Sequence, residues 1–135
     1  MARSLLFLGP IMERSLKILA VDNEPSVTLS LRYVFSGSRY EVTCVGDGNA
    51  ALAILNVSSD PYDVIIVDQK MPSLTGAELV GEIRKRGIDG SIIVVSAHLD
   101  SGLREVYRQL GVDVMFSKPF NVEHLRSAVE RLVQS

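Results

Sequence analysis

"DVIIVDQKMPSLTG", residues 63–76, drives an unbroken Val/Ile run straight into an acid, then turns through Met71-Pro72 toward Gly76. A strand with one wet face alternates apolar and polar side chains, whereas a continuous β-branched run marks a strand covered on both faces. Such a strand has no packing reason to stop on a carboxylate. Asp68 therefore needs an explanation outside packing.

Outward from this run the chain alternates two periods. "LKILAVD" (16–22), "YEVTCVG" (40–46), "YDVIIVD" (62–68), "SIIVVSA" (91–97) and "VDVMFSK" (112–118) read as strands covered on both faces. Between them lie helix-period segments. Val27, Leu31 and Val34 share a face after Pro25, as do Leu79, Val80 and Ile83, and Val122, Leu125, Val129 and Leu132 form a stripe in the last segment. Gly37, Gly87 and Gly111 stand where helices should stop, and Pro25 and Asn121 where they should start. Strands alternating with helices through short connections predict a parallel sheet with helices on both faces and right-handed crossovers.

The bulk numbers agree. The 135 residues make about one domain, and 47% hydrophobic with 22% charged residues is a globular balance. Lys and Arg (14) nearly cancel Asp and Glu (16), so no global field attracts a nucleic acid or an anionic membrane, and neither is expected as a direct partner. Cys44 is the only cysteine, which excludes an internal disulfide or a cysteine zinc cluster and fits a cytoplasmic location. In "MARSLLFLGPIMERS" the apolar part is short, is broken by Gly9-Pro10 and lacks a cleavage site, so residues 1–15 read as a tail before a domain of residues 16–135. Met12 is an alternative start. The chain stops directly after the last helical segment, so no effector domain is expected to follow: the protein stands alone or was cut from a longer regulator.

In an open parallel sheet, ligands sit beyond the carboxyl ends of the strands, where the strand order reverses. Those ends carry Asp22-Asn23-Glu24, Asp68, Ser96-Ala97 and Ser117-Lys118-Pro119. Clustered carboxylates repel, and a hard divalent cation such as Mg2+ relieves them through oxygen ligands. With a cation beside it, Asp68 can act as a carboxylate nucleophile toward a phosphoryl group. Lys118 is placed to neutralise phosphoryl oxygens and the Ser96 hydroxyl to hydrogen-bond one, while Ala97 is small enough to leave an entrance.

Asp22-Asn23, Asp68 followed by Met71-Pro72 and Gly76, Ser96-Ala97, and Lys118-Pro119-Phe120, in this order, resemble the receiver domain of bacterial two-component response regulators over roughly residues 16–133. The resemblance implies a flavodoxin-like (CheY-like) five-stranded sheet in the order 2-1-3-4-5. It also implies phosphorylation of Asp68 by a sensor histidine kinase or phosphotransfer protein, dependence on Mg2+, and a cis peptide before Pro119. Such a domain is a signalling module, not an enzyme in its own right. Its output surface is expected on the fourth helix, fifth strand and fifth helix, facing an effector protein or a second copy, with Tyr107, Arg108 and Arg126 nearby. By the same resemblance the metal ligands are Asp22, Asn23, Asp68 and the backbone carbonyl of Lys70, and His98 joins Lys70 in tuning the lifetime of the phosphoryl group.

Two departures stand out. Asn23 replaces the usual second acid, which predicts weaker metal binding, and Met115 replaces the aromatic switch residue three before the lysine, leaving Met115 or Phe116 to take its part. Plainer readings remain at each position: Asp68 capping a turn, Asp22 capping a helix, Lys118 a surface amine, Ser96 a hydroxyl bonded to backbone. Cys44 reads as core and His124 as solvated. Three rival functions are also open. "GDGNAA" (46–51) matches G-x-G-x-x-A and allows a dinucleotide-binding enzyme, though Asp47 between glycines also reads as a turn before a helix. An aspartate-nucleophile phosphatase wants a second acid where Lys70 stands. A degenerate receiver would dock a partner without phosphorylation.

Overall fold

A computed structural model describes residues 14–134. In chain order the elements are β1 (Leu16–Val21), α1 (Pro25–Val34), β2 (Tyr40–Val45), α2 (Gly48–Val57), β3 (Val64–Val67), α3 (Gly76–Lys85), β4 (Ser91–Ser96), α4 (Ser101–Gln109), β5 (Val114–Ser117) and α5 (Val122–Gln134). All strand pairs are parallel and the order is β2-β1-β3-β4-β5. The flavodoxin-like expectation holds. The strands are shorter than their apolar runs, most clearly β3 and β5, whose first two residues lie ahead of the ladder.

Alternation along the strands divides the core in two. Leu19, Val21, Ile65, Val67, Ile92 and Val94 face α2, α3 and α4, where they meet Leu52, Leu79, Ile83 and Tyr107. Ile18, Ala20, Val64, Ile66, Ile93 and Val95 face the other way, against Leu31 and Val34 of α1 and Leu125 and Val129 of α5. Each of the Val, Leu and Ile side chains among these contributes roughly 1.5 to 3 kcal/mol from the water it leaves, and the Ala20 methyl about a third of that.

Helix ends follow local chemistry. Pro25 opens α1, Asp47 accepts from the Ala50 N–H at 2.8 Å to cap α2, and Thr75 and Glu78 form a reciprocal capping box on α3. Asn121 caps α5 through the His124 N–H at 2.9 Å. Past α3 and α4, Gly87 and Gly111 take φ of +66° and +76°, which only glycine adopts freely. Of the segment read as a tail, residues 1–13 lie outside the described residues. Arg14 pairs with both Asp63 carboxylate oxygens at 2.7 and 2.8 Å, and Ser15 bonds the Ser38 carbonyl.

Several expectations need correction. The edge strands β2 and β5 are only half covered, each having a single strand neighbour in the sheet. Cys44 on β2 is accordingly half-buried. Val122, expected in the apolar stripe, is 41% exposed at the start of α5. Tyr107, expected near an output surface, is wholly buried. Arg126 hydrogen-bonds the Val34 carbonyl at 3.0 Å, so part of its guanidinium ties α5 to α1. Met115 packs in the layer with Tyr107, whereas Phe116 lies in the opposite layer beside α1 and α5, so the two are not interchangeable.

Candidate functional site

The order of the sheet reverses between β1 and β3, and the acids stand there. Asp68 N–H donates to the Val21 carbonyl at 3.0 Å and Asp22 N–H to the Val45 carbonyl at 3.1 Å, continuing the ladders by one residue. Backbone pairing thus places both carboxylates side by side at the strand tips. Asp22 is 5% exposed and Asp68 4%. The Asp22 side chain accepts from the Glu24 N–H at 2.9 Å, and Glu24, at the N-cap position of α1, makes no side-chain cap of its own.

Lys118 reaches this pair from the end of β5. Its Nζ lies 2.9 Å from Asp22 Oδ2, 2.6 Å from Glu24 Oε1 and 3.5 Å from Asp68 Oδ1. It is no surface amine. The Lys118–Pro119 bond is cis, in accord with the expectation. Burial works against the Lys118 ammonium, but hydrogen bonds to Glu24 and Asp22 outweigh it and hold its pKa above the ordinary lysine value. Asp68 is shifted upward, first by burial and then by the charge of Asp22, with Lys118 and the Lys70 backbone pulling the other way.

A cleft of about 580 Å³ opens over Asp68, lined by Asn23, Glu24, Gln69, Lys70, Thr75, Ser96, Ala97, His98 and Lys118 among its residues. Ser96 is 2% exposed, and its hydroxyl has no hydrogen-bonding partner among the described residues. A buried hydroxyl is costly to leave unpaired. The backbone-bonded reading of Ser96 is thereby set aside, and the hydroxyl is available to a ligand in the cleft. Asn23, Lys70, Ala97 and His98 are exposed at the rim.

The segment from Asp68 to Gly76 is a tight loop. Gly76 N–H donates to the Gln69 carbonyl at 2.9 Å, and a Cβ on Gly76 would stand 2.4 Å from the Asp68 carbonyl oxygen. Space, not backbone freedom, requires glycine there. The Gln69 side chain accepts from the Ala77 N–H at 3.1 Å and from the Tyr107 hydroxyl of α4.

The donor set suits a hard cation. Carboxylate oxygens of Asp22, Glu24 and Asp68 lie within 4.8 Å of one another, and oxygen-rich anionic sites are what Mg2+ and Ca2+ select. Sequence reasoning passed over Glu24 as a member of this group, along with Gln69 and Thr75 on the cleft wall. The signal for Glu24 was its position two residues after Asp22 on the same loop. His98 and His124 lie on different loops and helices, and neither joins an acid cluster among the described residues.

"GDGNAA" is a strand-to-helix turn: Asp47 caps α2, and Gly48 is needed because a Cβ would come 2.9 Å from Leu74 Cβ. The helix N-terminus that a pyrophosphate would need already holds a carboxylate.

A parallel five-stranded sheet in the order β2-β1-β3-β4-β5, with an acid pair, a lysine and a hydroxyl at its carboxyl edge, is the arrangement of the flavodoxin-like receiver class. The family model for the response regulator receiver domain matches residues 18–130, and the chain belongs to that family. It is 34% identical over 119 residues to the response regulator MprA of Mycobacterium leprae, covering 88% of this chain and 51% of that protein, so the chain spans about half the length of the curated relatives it matches. Among solved structures, a Francisella response regulator receiver domain superposes with a TM-score of 0.81 at 28% identity, covering 89% of this chain and 98% of that one. The response regulator TrrA of Thermotoga maritima, solved in complex with Mg2+ and BeF, gives 0.73 at 34% identity, covering 86% and 97%.

Proposed function

We propose that this receiver domain accepts a phosphoryl group on Asp68 from the phosphohistidine of a sensor histidine kinase or phosphotransfer protein, and that this switches a partner-binding surface. The observation that carries the reading is the juxtaposition of buried Asp68, the Lys118 ammonium at 3.5 Å and the unpartnered Ser96 hydroxyl in one cleft. In the transfer an Asp68 carboxylate oxygen forms a bond to phosphorus as the phosphorus–nitrogen bond of the donor imidazole breaks, and the imidazole keeps the electron pair. Lys118 and Ser96 take the two phosphoryl oxygens nearest them, as a point charge and a hydrogen-bond donor.

Asp22, Asp68, the Asn23 amide and the Lys70 carbonyl would hold Mg2+, which offsets charge between Asp68 and the incoming phosphoryl group. The Mg2+-bound state of the Thermotoga protein supports this assignment. Ala97, small and exposed, leaves the approach to Asp68 open, and Lys70 and His98 flank it, where they tune how fast water removes the group. Added charge at Asp68 draws Ser96 and the loop after β4 inward and shifts a pre-existing equilibrium, exposing a new surface on α4, β5 and α5 to an effector or a second copy. A cytoplasmic setting suits a kinase donor, and no helix among the described residues is long and apolar enough to cross a membrane.

Intact mass after incubation with acetyl phosphate and Mg2+ tests the reading. The wild type gains one phosphoryl group and Asp68→Asn gains none. Asn23 and Met115 favour a second reading, a docking module indifferent to phosphorylation. No adduct at high Mg2+, with partner binding unchanged by Mg2+, would establish that reading and end the first.

A further inference from the structure

Met115 stands where an aromatic switch residue was expected, yet the layer around it does contain an aromatic ring. Tyr107 enters from α4, is 0% exposed, and is the only buried residue of its helix. A buried phenol hydroxyl must find a partner or lose the energy of its hydration. Its partner is the side-chain oxygen of Gln69, the residue directly after Asp68. That same oxygen accepts from the Ala77 N–H at 3.1 Å in the first turn of α3. One amide oxygen thus joins α4, the phosphoacceptor loop and α3.

The fit leaves little slack. A Cβ on Gly76 would stand 2.5 Å from the Tyr107 hydroxyl and 2.9 Å from Gln69 Cα, so the loop closes directly over the phenol. Gly76 N–H in turn holds the Gln69 carbonyl at 2.9 Å. Displacement of the backbone at Asp68 therefore moves Gln69, and moving Gln69 either drags Tyr107 or breaks its hydrogen bond. Little else on the inner face of α4 resists such a pull, since its other residues are partly or fully exposed.

We propose that Tyr107 is a positioning residue for the phosphoacceptor loop, and that the Tyr107–Gln69 hydrogen bond is the link through which a change at Asp68 reaches α4. This rests on the reading of Asp68 as the phosphoacceptor. Its chemistry is a two-state hydrogen bond whose making and breaking both ends of the link can bias.

The test is amide hydrogen exchange of the full chain with and without beryllofluoride and Mg2+, with the acetyl phosphate adduct scored by mass on the same preparations. In the wild type, beryllofluoride changes exchange both in residues 68–76 and in α4, the latter by about threefold or more. Tyr107→Phe keeps the ring and removes the hydroxyl. It is expected to confine the change to residues 68–76 and leave α4 unresponsive. Gln69→Leu removes the acceptor from the other end and gives the same result, which keeps the test decisive if the tyrosine variant folds poorly. An α4 response equal to wild type in the folded variants overturns the link. So does a wild type that forms the adduct with no response in α4, an outcome that leaves the phosphoacceptor reading standing. Absence of any adduct on the wild type overturns both.

Discussion

Gly76 matters because its hydrogen is small. The Asp68 carbonyl oxygen 2.4 Å from where a Cβ would sit is backbone and cannot swing aside as a side-chain tip could. Gly76→Ala is therefore expected to cost about 2 to 3 kcal/mol, read from the urea midpoint, and to shift the loop carrying Asp68. A variant within about 0.5 kcal/mol of wild type would show that the loop yields. Asp63 carries the clearest pH signature away from the site. The Arg14 guanidinium holds its carboxyl below the usual range, burial opposes this, and the Lys17 N–H at 2.8 Å lowers it further. A carboxylate whose folded pKa is depressed binds fewer protons in the native state, so its contribution is present above the unfolded value near pH 4 and is lost as pH falls through the folded pKa. Asp63→Asn should cost on the order of 1 kcal/mol at pH 7, reduced because solvent screens the exposed Arg14, and the cost should shrink as pH falls from 7 through the folded pKa. Denaturation midpoints of both proteins across that range check the sign.

Among elements, α3 and α4 are the informative contrast. The first buries Gly76, Leu79, Val80 and Ile83 and begins with a capping box; the second buries Tyr107 alone and begins with Asp100 accepting from the Leu103 N–H at 2.8 Å. Few buried apolar side chains mean a low free energy of local opening. Native-state hydrogen exchange is expected to show amides of α4 exchanging at least tenfold faster than those of α3, a difference of about 1.4 kcal/mol in opening free energy. Equal protection would mean that α4 opens only with the whole domain. A loosely held helix is also the element most easily repositioned by a small change at its one anchor.

At the scale of the molecule, three carboxylates share one ammonium at the sheet edge, and the burial of two of them, Asp22 and Asp68, makes their repulsion a cost that a bound cation would offset. Linkage returns that cost: a ligand bound only by the native state adds about 1.4 kcal/mol at a tenfold excess over its Kd. Asn23→Asp would add a carboxylate at the rim. Without Mg2+ the variant is expected to melt a few degrees lower than wild type, and with Mg2+ to gain more, its affinity rising on the order of tenfold. Melting curves with and without Mg2+ decide this, and a Tm insensitive to Mg2+ in both proteins would remove the cation from the site.

Much of this was legible along the chain because it is local. Val/Ile runs mark strands wherever those strands end up, a glycine past a helix serves its turn whatever lies beyond, and alternation of strand and helix leaves a parallel sheet as the compact solution. Asp22, Asp68, Ser96 and Lys118 could be gathered on one edge from sequence because all carboxyl ends of a parallel sheet point the same way. Burial was decided by neighbours that no window of sequence contains. Which strands became edges left Cys44 half-covered, the start of α5 exposed Val122, and the alternation along β5 sent Met115 and Phe116 to opposite layers. Glu24 and Tyr107 were decided in the same way: one became an ion-pair partner of a lysine 94 residues away, the other a hydrogen-bond partner 38 residues away. The sequence by itself determined the elements, their direction and the chemistry at their tips, since these depend on backbone preference and period. Only the tertiary structure decided which side chains meet across the sheet, because that depends on which elements become neighbours and on the space left between them.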